Sequence, residues 1–234
     1  MPNVYRVRRI MTIGILVAII VGAIVTSNTE STNSRLSNTT QSHSSADGLF
    51  ATDILDKLPV KGRAPKTGYT RAQFGDGWAV TNGCDMRNII LHRDLTNIQV
   101  DQKCDVISGV LNDPYTGKTI NFVRGSGTSA DVQIDHVVAI SDAWQKGAQQ
   151  LSSADRIRLA NDPLELLAVD GPANQQKSDG DAATWLPSYK PFRCQYIARQ
   201  IAVKQEYTLW VTQAEKDAMT AILSSCPSQM LPSK

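Results

Sequence analysis

The chain is short of histidine, short of cysteine and nearly without net charge, and each shortage removes a class of function. Its 24 lysines and arginines include Arg6, Arg8 and Arg9 near the N-terminus; without those three, 21 basic residues face 22 acidic ones. The body of the protein therefore has no bulk positive field of the kind that drives non-specific attraction to nucleic acid. Any phosphate contact must come from a local cluster. One is present: Lys57, Lys61, Arg63, Lys66 and Arg71 follow one another with no acid among them. A solvated loop with a charge bias and a phosphate-contacting arm both fit it.

The four cysteines, Cys84, Cys104, Cys194 and Cys226, form no C-x-x-C pair, and no histidine lies near the distal two. A thiolate zinc site is disfavoured on both counts. An even number suits disulfides, for which three pairings are possible. Cys84–Cys104 and Cys194–Cys226 are expected, because each closes a modest local loop. A bridge of this kind contributes ~2–4 kcal/mol, mainly by restricting the unfolded chain.

Long apolar runs are also missing, save one. Ile10 to Thr26 is nearly unbroken and follows Arg6, Arg8 and Arg9, which is the pattern of an export signal. The run is shorter than the ~20 residues that comfortably span a bilayer. Val21-Gly22-Ala23 only approximates a cleavage motif, and no cysteine ends the run as a lipoprotein would need. Residues 1–26 are read as a signal peptide or a signal anchor, which puts the remainder outside the cytoplasm, secreted or tethered by residues 10–26. Residues 27–48 are mostly Ser, Thr and Asn, too polar to offset the entropy of ordering, and are read as a linker. Residues 49–234 then form a single folded domain, with no internal repeat or second linker.

Within that domain the patterning is mixed. Helices are expected over Ala51 to Leu58, Met86 to Asp94, Ser141 to Trp144 with Ser141 as cap, and from Ser152 or Ser153 to Ala160. Cys104 to Leu111 and Thr119 to Val123 flank a turn at Asn112-Asp113-Pro114 and read as a hairpin. Val132 to Val138 and Leu166 to Val169 read as short strands, the second closed by a turn at Asp170-Gly171-Pro172, with a short helix opening over Asn174 to Ser178. Two terminal helices cover Phe192 to Tyr207 and Thr212 to Leu223, the latter with Thr212 as N-cap and Glu215 at the capping-box position. The expected class is α+β with small sheets.

Of three histidines, His43 lies in the linker and His92 in an amphipathic stretch suited to surface packing. His136 differs, following an acid at a strand end in Ile134-Asp135-His136-Val137. Phosphodiester hydrolysis needs a group to take a proton from water near neutral pH, which imidazole does well. It also needs stabilisation of charge on the phosphate oxygens, which a divalent cation supplies. A hard cation such as Mg²⁺, or Mn²⁺ in its place, takes oxygen ligands and keeps several waters. Asp135 offers a carboxylate, and Asn174, beyond the second strand and its turn, offers a carboxamide oxygen. Strand alternation points Asp135 and His136 to opposite faces, so the strand must end or distort there.

The block Val132-Gln133-Ile134-Asp135-His136-Val137-Val138-Ala139 with Ser141-Asp142-Ala143-Trp144, and the later block Asn161 to Val169 with Asn174-Gln175-Gln176-Lys177-Ser178-Asp179 and Trp185-Leu186-Pro187, resemble HNH nucleases. The combination is similar to a secreted bacterial HNH-endonuclease branch, typical of actinobacteria and related to the C-terminal domain of GmrSD restriction enzymes. Gly83 to Asn88 and Asp113 to Gly117 extend the resemblance upstream. It implies a ββα-metal (His-Me finger) core, Asp135 and Asn174 as ligands of one Mg²⁺, His136 as general base, and Lys177 near phosphate. Arg87 and Asp85 are candidates to line the same cleft, an ion pair beside Cys84 being the structural alternative; Trp144, Trp185 and Pro187 are expected in the core. The pattern departs at Glu165, nine residues before Asn174, where the family has an Asn that pins the loop. A carboxylate accepts hydrogen bonds but does not donate them. The implied function is metal-dependent cleavage of DNA, with RNA as a second substrate class, little sequence preference and no obligate protein partner. The alternatives are a catalytically silent nucleic-acid-binding or envelope protein with the same fold, and a wall-associated module held by an uncleaved anchor.

Overall fold

Three small antiparallel sheets, each made from neighbouring or nearly neighbouring segments, are set among seven α-helices in the described residues. The computed structural model describes residues 49–126 and 128–232; the expected signal segment and linker lie outside the described residues. Among the described residues no helix is long and apolar enough to cross a membrane.

Helix α1 (Ala51–Lys57) buries Ala51, Ile54 and Leu55. A loop and a 3₁₀ turn (Arg71–Phe74) lead to a minimal hairpin, β1 (Val80–Thr81) and β2 (Cys84–Asp85). Helix α2 (Met86–Asp94) starts where Asp85 accepts the Asn88 backbone N–H at 2.8 Å. Next come β3 (Thr96–Val100), β4 (Val106–Asn112) and β5 (Thr119–Val123), a three-stranded meander in that order. The expected hairpin is its β4–β5 half; β3 escaped sequence reading because four of its five residues are exposed or polar and give no alternation.

The pair β6 (Val132–His136) and β7 (Leu166–Asp170) aligns Ile134 with Ala168 and His136 with Leu166. Between them lie α3 (Ile140–Gln145) and α4 (Ser153–Ala160), the latter capped by Ser152 as its sequence predicts. Helix α5 (Gly171–Lys177) follows β7 without a break. Two expectations are corrected here. Asp170-Gly171-Pro172 is not a separate turn: Asp170 accepts the Ala173 N–H at 2.8 Å and Pro172 sits in the first helical turn, where its missing N–H costs nothing. Ser141 is not a cap either, since α3 begins one residue earlier and Ala139 precedes it. Helices α6 (Arg193–Glu206) and α7 (Gln213–Leu223) close the fold, and α7 carries the Thr212/Glu215 capping box.

Two apolar clusters hold these pieces. One gathers α1, α3, α6 and α7 around residues such as Val137, Tyr196 and Met219; the other fills the space between α2 and the β-strands with Ile90, Leu91, Phe122 and Leu166. Both expected disulfides form, Cys84–Cys104 and Cys194–Cys226.

Next to the first cluster lies a buried ion network. Lys146 Nζ meets Asp142 at 2.9 Å and Asp181 and Glu215 at 2.7 Å each, and Lys204 Nζ meets Glu215 at 3.0 Å. Arg63 joins from the basic loop, at 2.7 Å from Asp142 and 2.8 Å from Asp181. Three cations thus balance three acids. Burial alone would lower the Lys146 pKa, but Asp142 and Glu215 outweigh it and the pKa rises. Arg63 is thus engaged by these two acids while part of its side chain remains exposed.

Candidate active site

The β6–β7 pairing ends at His136 and Leu166, and the chain on each side then departs from the ladder. The ladder keeps its register through His136, so the two side chains still leave β6 on different sides. Asp135, His136 and Asn174 all line one cleft of about 540 Å³, although the Asp135 carboxylate and the His136 ring find different partners. Asn174, on α5, gives its Nδ2–H to Gln133 Oε1 on β6 at 3.0 Å, leaving Oδ1 as the acceptor available in the cleft.

His136 is buried, and its Nε2 lies 3.0 Å from the backbone oxygen of Ala160. A carbonyl only accepts, so Nε2 carries the proton and Nδ1 carries the lone pair. The ring stacks on Trp78, with centroids 5.8 Å apart and planes 11° from parallel. Burial, joined by Arg71 and Lys177, lowers the imidazole pKa to about 4, against the Ala160 hydrogen bond, which acts the other way. The ring is neutral, and able to accept a proton, throughout the neutral range.

Asp135 is held from two sides. Tyr115 donates its hydroxyl to Oδ2 at 2.5 Å, and Lys177 Nζ lies 2.9 Å from the carboxylate and 2.7 Å from the His136 carbonyl. Burial pushes the Asp135 pKa up, while Lys177 and Tyr115 pull it back. Lys177 is itself fully buried. Its expected approach to phosphate is not what the geometry provides; the ammonium is spent on positioning Asp135 and the end of β6. Tyr115 escaped sequence reading. It sits in the β4–β5 turn, where Asp113 Oδ2 accepts the Thr116 N–H at 2.7 Å and Asp113 Oδ1 accepts the Asp170 N–H at 2.8 Å. Gly117 closes that turn at φ +75°, and a Cβ there would come within 2.6 Å of Tyr189. Only the packing of this turn against β6 reveals where Tyr115 points.

Glu165 is fully buried. Its Oε2 accepts the Val138 N–H at 3.1 Å, and its backbone oxygen accepts the Val137 N–H at 2.9 Å. Burial raises its pKa well above the usual carboxylate range. It pins the stretch after His136 as an acceptor only, its other oxygen, Oε1, being buried without a hydrogen-bond partner.

Three cationic side chains line the cleft. Lys66 and Arg71 come from the basic loop, and Arg87 comes from α2, bracing β6 through the Val132 carbonyl at 3.1 Å. Asp85 serves as the α2 cap. His92 is exposed, while Trp144 and Pro187 are buried and Trp185 packs edge-on to Tyr115.

The donor set suits a hard, oxygen-bound ion. Among the described residues no group of three or more His, Cys, Asp or Glu side chains is placed to hold a metal. Asp135 and Asn174 could supply two oxygens, with water and phosphate completing an octahedral shell. Both Asp135 oxygens already accept hydrogen bonds, but an ionised carboxylate has about four lone pairs to offer.

The family described as GmrSD restriction endonucleases, C-terminal domain, matches residues 85–222. The stretch contains Arg87, Asp135, His136, Glu165, Asn174 and Lys177. An uncharacterized secreted protein of Arthroderma benhamiae (strain ATCC MYA-4681 / CBS 112371) is 38% identical over 178 residues, which cover 75% of this chain and 84% of the relative. The chain belongs to the family of GmrSD restriction endonuclease C-terminal domains.

Proposed function

We propose that the protein is an exported, metal-dependent endonuclease of the HNH type, with β6, β7 and α5 as its ββα-metal core. One observation carries this reading: Asp135, His136 and Asn174 meet in a single cleft also lined by Arg71 and Arg87, and by Lys66 paired with Asp179. Asp135 and Asn174 would hold one Mg²⁺, or Mn²⁺. When bound, the ion stabilises charge developing on the phosphate oxygens. His136 Nδ1 takes the proton of the attacking water, its tautomer fixed by Ala160. Tyr115 and Lys177 keep Asp135 in place. Arg71 and Arg87 attract the phosphate backbone, which is common to every sequence, so little sequence preference is expected on DNA, with RNA as a second substrate class.

Export is supported by the two disulfides and by the relative described as secreted. The alternative, a silent nucleic-acid-binding protein, rested on Glu165 and on the near-neutral charge of the body of the chain. It loses ground because Glu165 makes the loop-pinning contact to Val138.

The test is plasmid cleavage by the oxidised domain with Mg²⁺, with EDTA, and with His136→Ala. Metal-dependent cutting that disappears in the variant is the expected result. DNA binding without cutting under any divalent ion would favour the silent protein.

A further inference from the structure

Beside the cleft opens a smaller chamber of about 230 Å³. The two cavities share Arg71, Trp78, His136 and Ile140, so the chamber is a side room of the candidate active site. Its other walls are apolar or bare backbone. Phe74 is buried, and Gly75 and Gly77 contribute to the wall; a Cβ at Gly77 would meet nothing within 4 Å, whereas one at Gly75 would face Ile157. Both glycines have φ in the left-handed range, +100° and +137°, so the loop takes this path because side chains are absent there. Arg71 is exposed at the same place and near enough to lower the His136 pKa.

We propose that this chamber is a nucleobase subsite, which receives the base next to the bond being cut. The inference rests on the nuclease reading given above. A phosphodiester presented to His136 carries a nucleoside on either side, and one of them must lie against the wall that His136 and Trp78 form together. Flat aromatic rings and a guanidinium are the partners on which bases stack, and such stacking tolerates any sequence because every base has a π-face. The subsite therefore fits an enzyme that needs a base at one position without choosing which. It also gives Trp78 two tasks: to pack the imidazole that accepts the proton and to seat the neighbouring nucleoside.

The experiment uses end-labelled oligonucleotides in which one nucleotide is replaced by a stable abasic (tetrahydrofuran) analogue, placed at each position in turn. Cleavage at every bond is read on one ladder for the wild-type protein, Trp78→Phe and Trp78→Ala, each checked for folding by circular dichroism. The expected result is suppression of about 5- to 100-fold at one bond, at a fixed offset from the abasic residue. The suppression should persist in Trp78→Phe and vanish in Trp78→Ala, whose residual cutting no longer distinguishes base from no base. A wild-type ladder indifferent to the abasic residue, or suppression undiminished in Trp78→Ala, overturns the subsite while leaving the nuclease standing. Absence of cutting on every oligonucleotide by the folded wild-type protein removes the nuclease reading, and the subsite with it.

Discussion

Glu165 is fully buried, and its Oε2 holds the Val138 N–H in the stretch after His136. Because its folded-state pKa is raised, Glu165 holds a proton that the unfolded chain releases above about 4.5. Its contribution to stability is complete below that value and is lost progressively as pH rises. Glu165→Gln keeps the acceptor for Val138 and needs no proton. The variant should melt higher than wild type near pH 8, about as high near pH 4, with the gap widening in between. Thermal unfolding followed across this range tests it, and a gap independent of pH would show that Glu165 is ionised in the fold. His136 gives the complementary expectation. Its depressed pKa, about 4, keeps Nδ1 available in mild acid. The acid limb of a pH–rate profile should therefore fall well below the ordinary imidazole value of about 6.5. A limb at that ordinary value would mean the ring is wetter than its burial implies. The Asp-His pair and Asn174 were legible in the sequence through the strand end and the two-block resemblance. Tyr115 and Trp78 were not, because no local pattern says which way a turn or an irregular loop folds back.

Among the elements, β6 depends most on its neighbours. Its last two residues are held by a tyrosine from the β4–β5 turn and a lysine from α5, and both contacts reach the same buried carboxylate. Removing the cation strands that charge. Lys177→Met should therefore cost about 3–5 kcal/mol, whereas Tyr115→Phe should cost about 1–2 kcal/mol. Denaturant titration separates them, and equal losses would mean that Lys177 is not a true counter-ion. The helices were read well where a capping residue preceded an apolar period, as at Ser152 and Thr212. The start of α5 was misread because Asp, Gly and Pro suit a tight turn and a helix N-terminus equally. What decides is the Asp170 side chain, which caps Ala173 while Asp113 fixes its backbone.

For the molecule as a whole, the balanced network of Arg63, Lys146, Lys204, Asp142, Asp181 and Glu215 ties the basic loop to α3, α6 and α7. No sequence pattern announces it, because its members are far apart and each resembles a surface charge. Lys146→Met should cost at least about 3 kcal/mol, since three acids would then share a reduced positive charge in a buried place. The loss should change little with added salt, which screens exposed pairs far more than buried ones. Melting at low and high ionic strength is the check, and a salt-sensitive loss would place the network in contact with solvent. The disulfides act at the same scale. Cys84–Cys104 fastens the segment that delivers Arg87 to the cleft, and Cys194–Cys226 clips α6 to the end of α7. Neither bridge persists in a reducing compartment. A chain held in a reducing compartment would thus lack both fastenings. On the nuclease reading, the redox state of the compartment would then bear on cutting, because one bridge fastens the segment that carries Arg87.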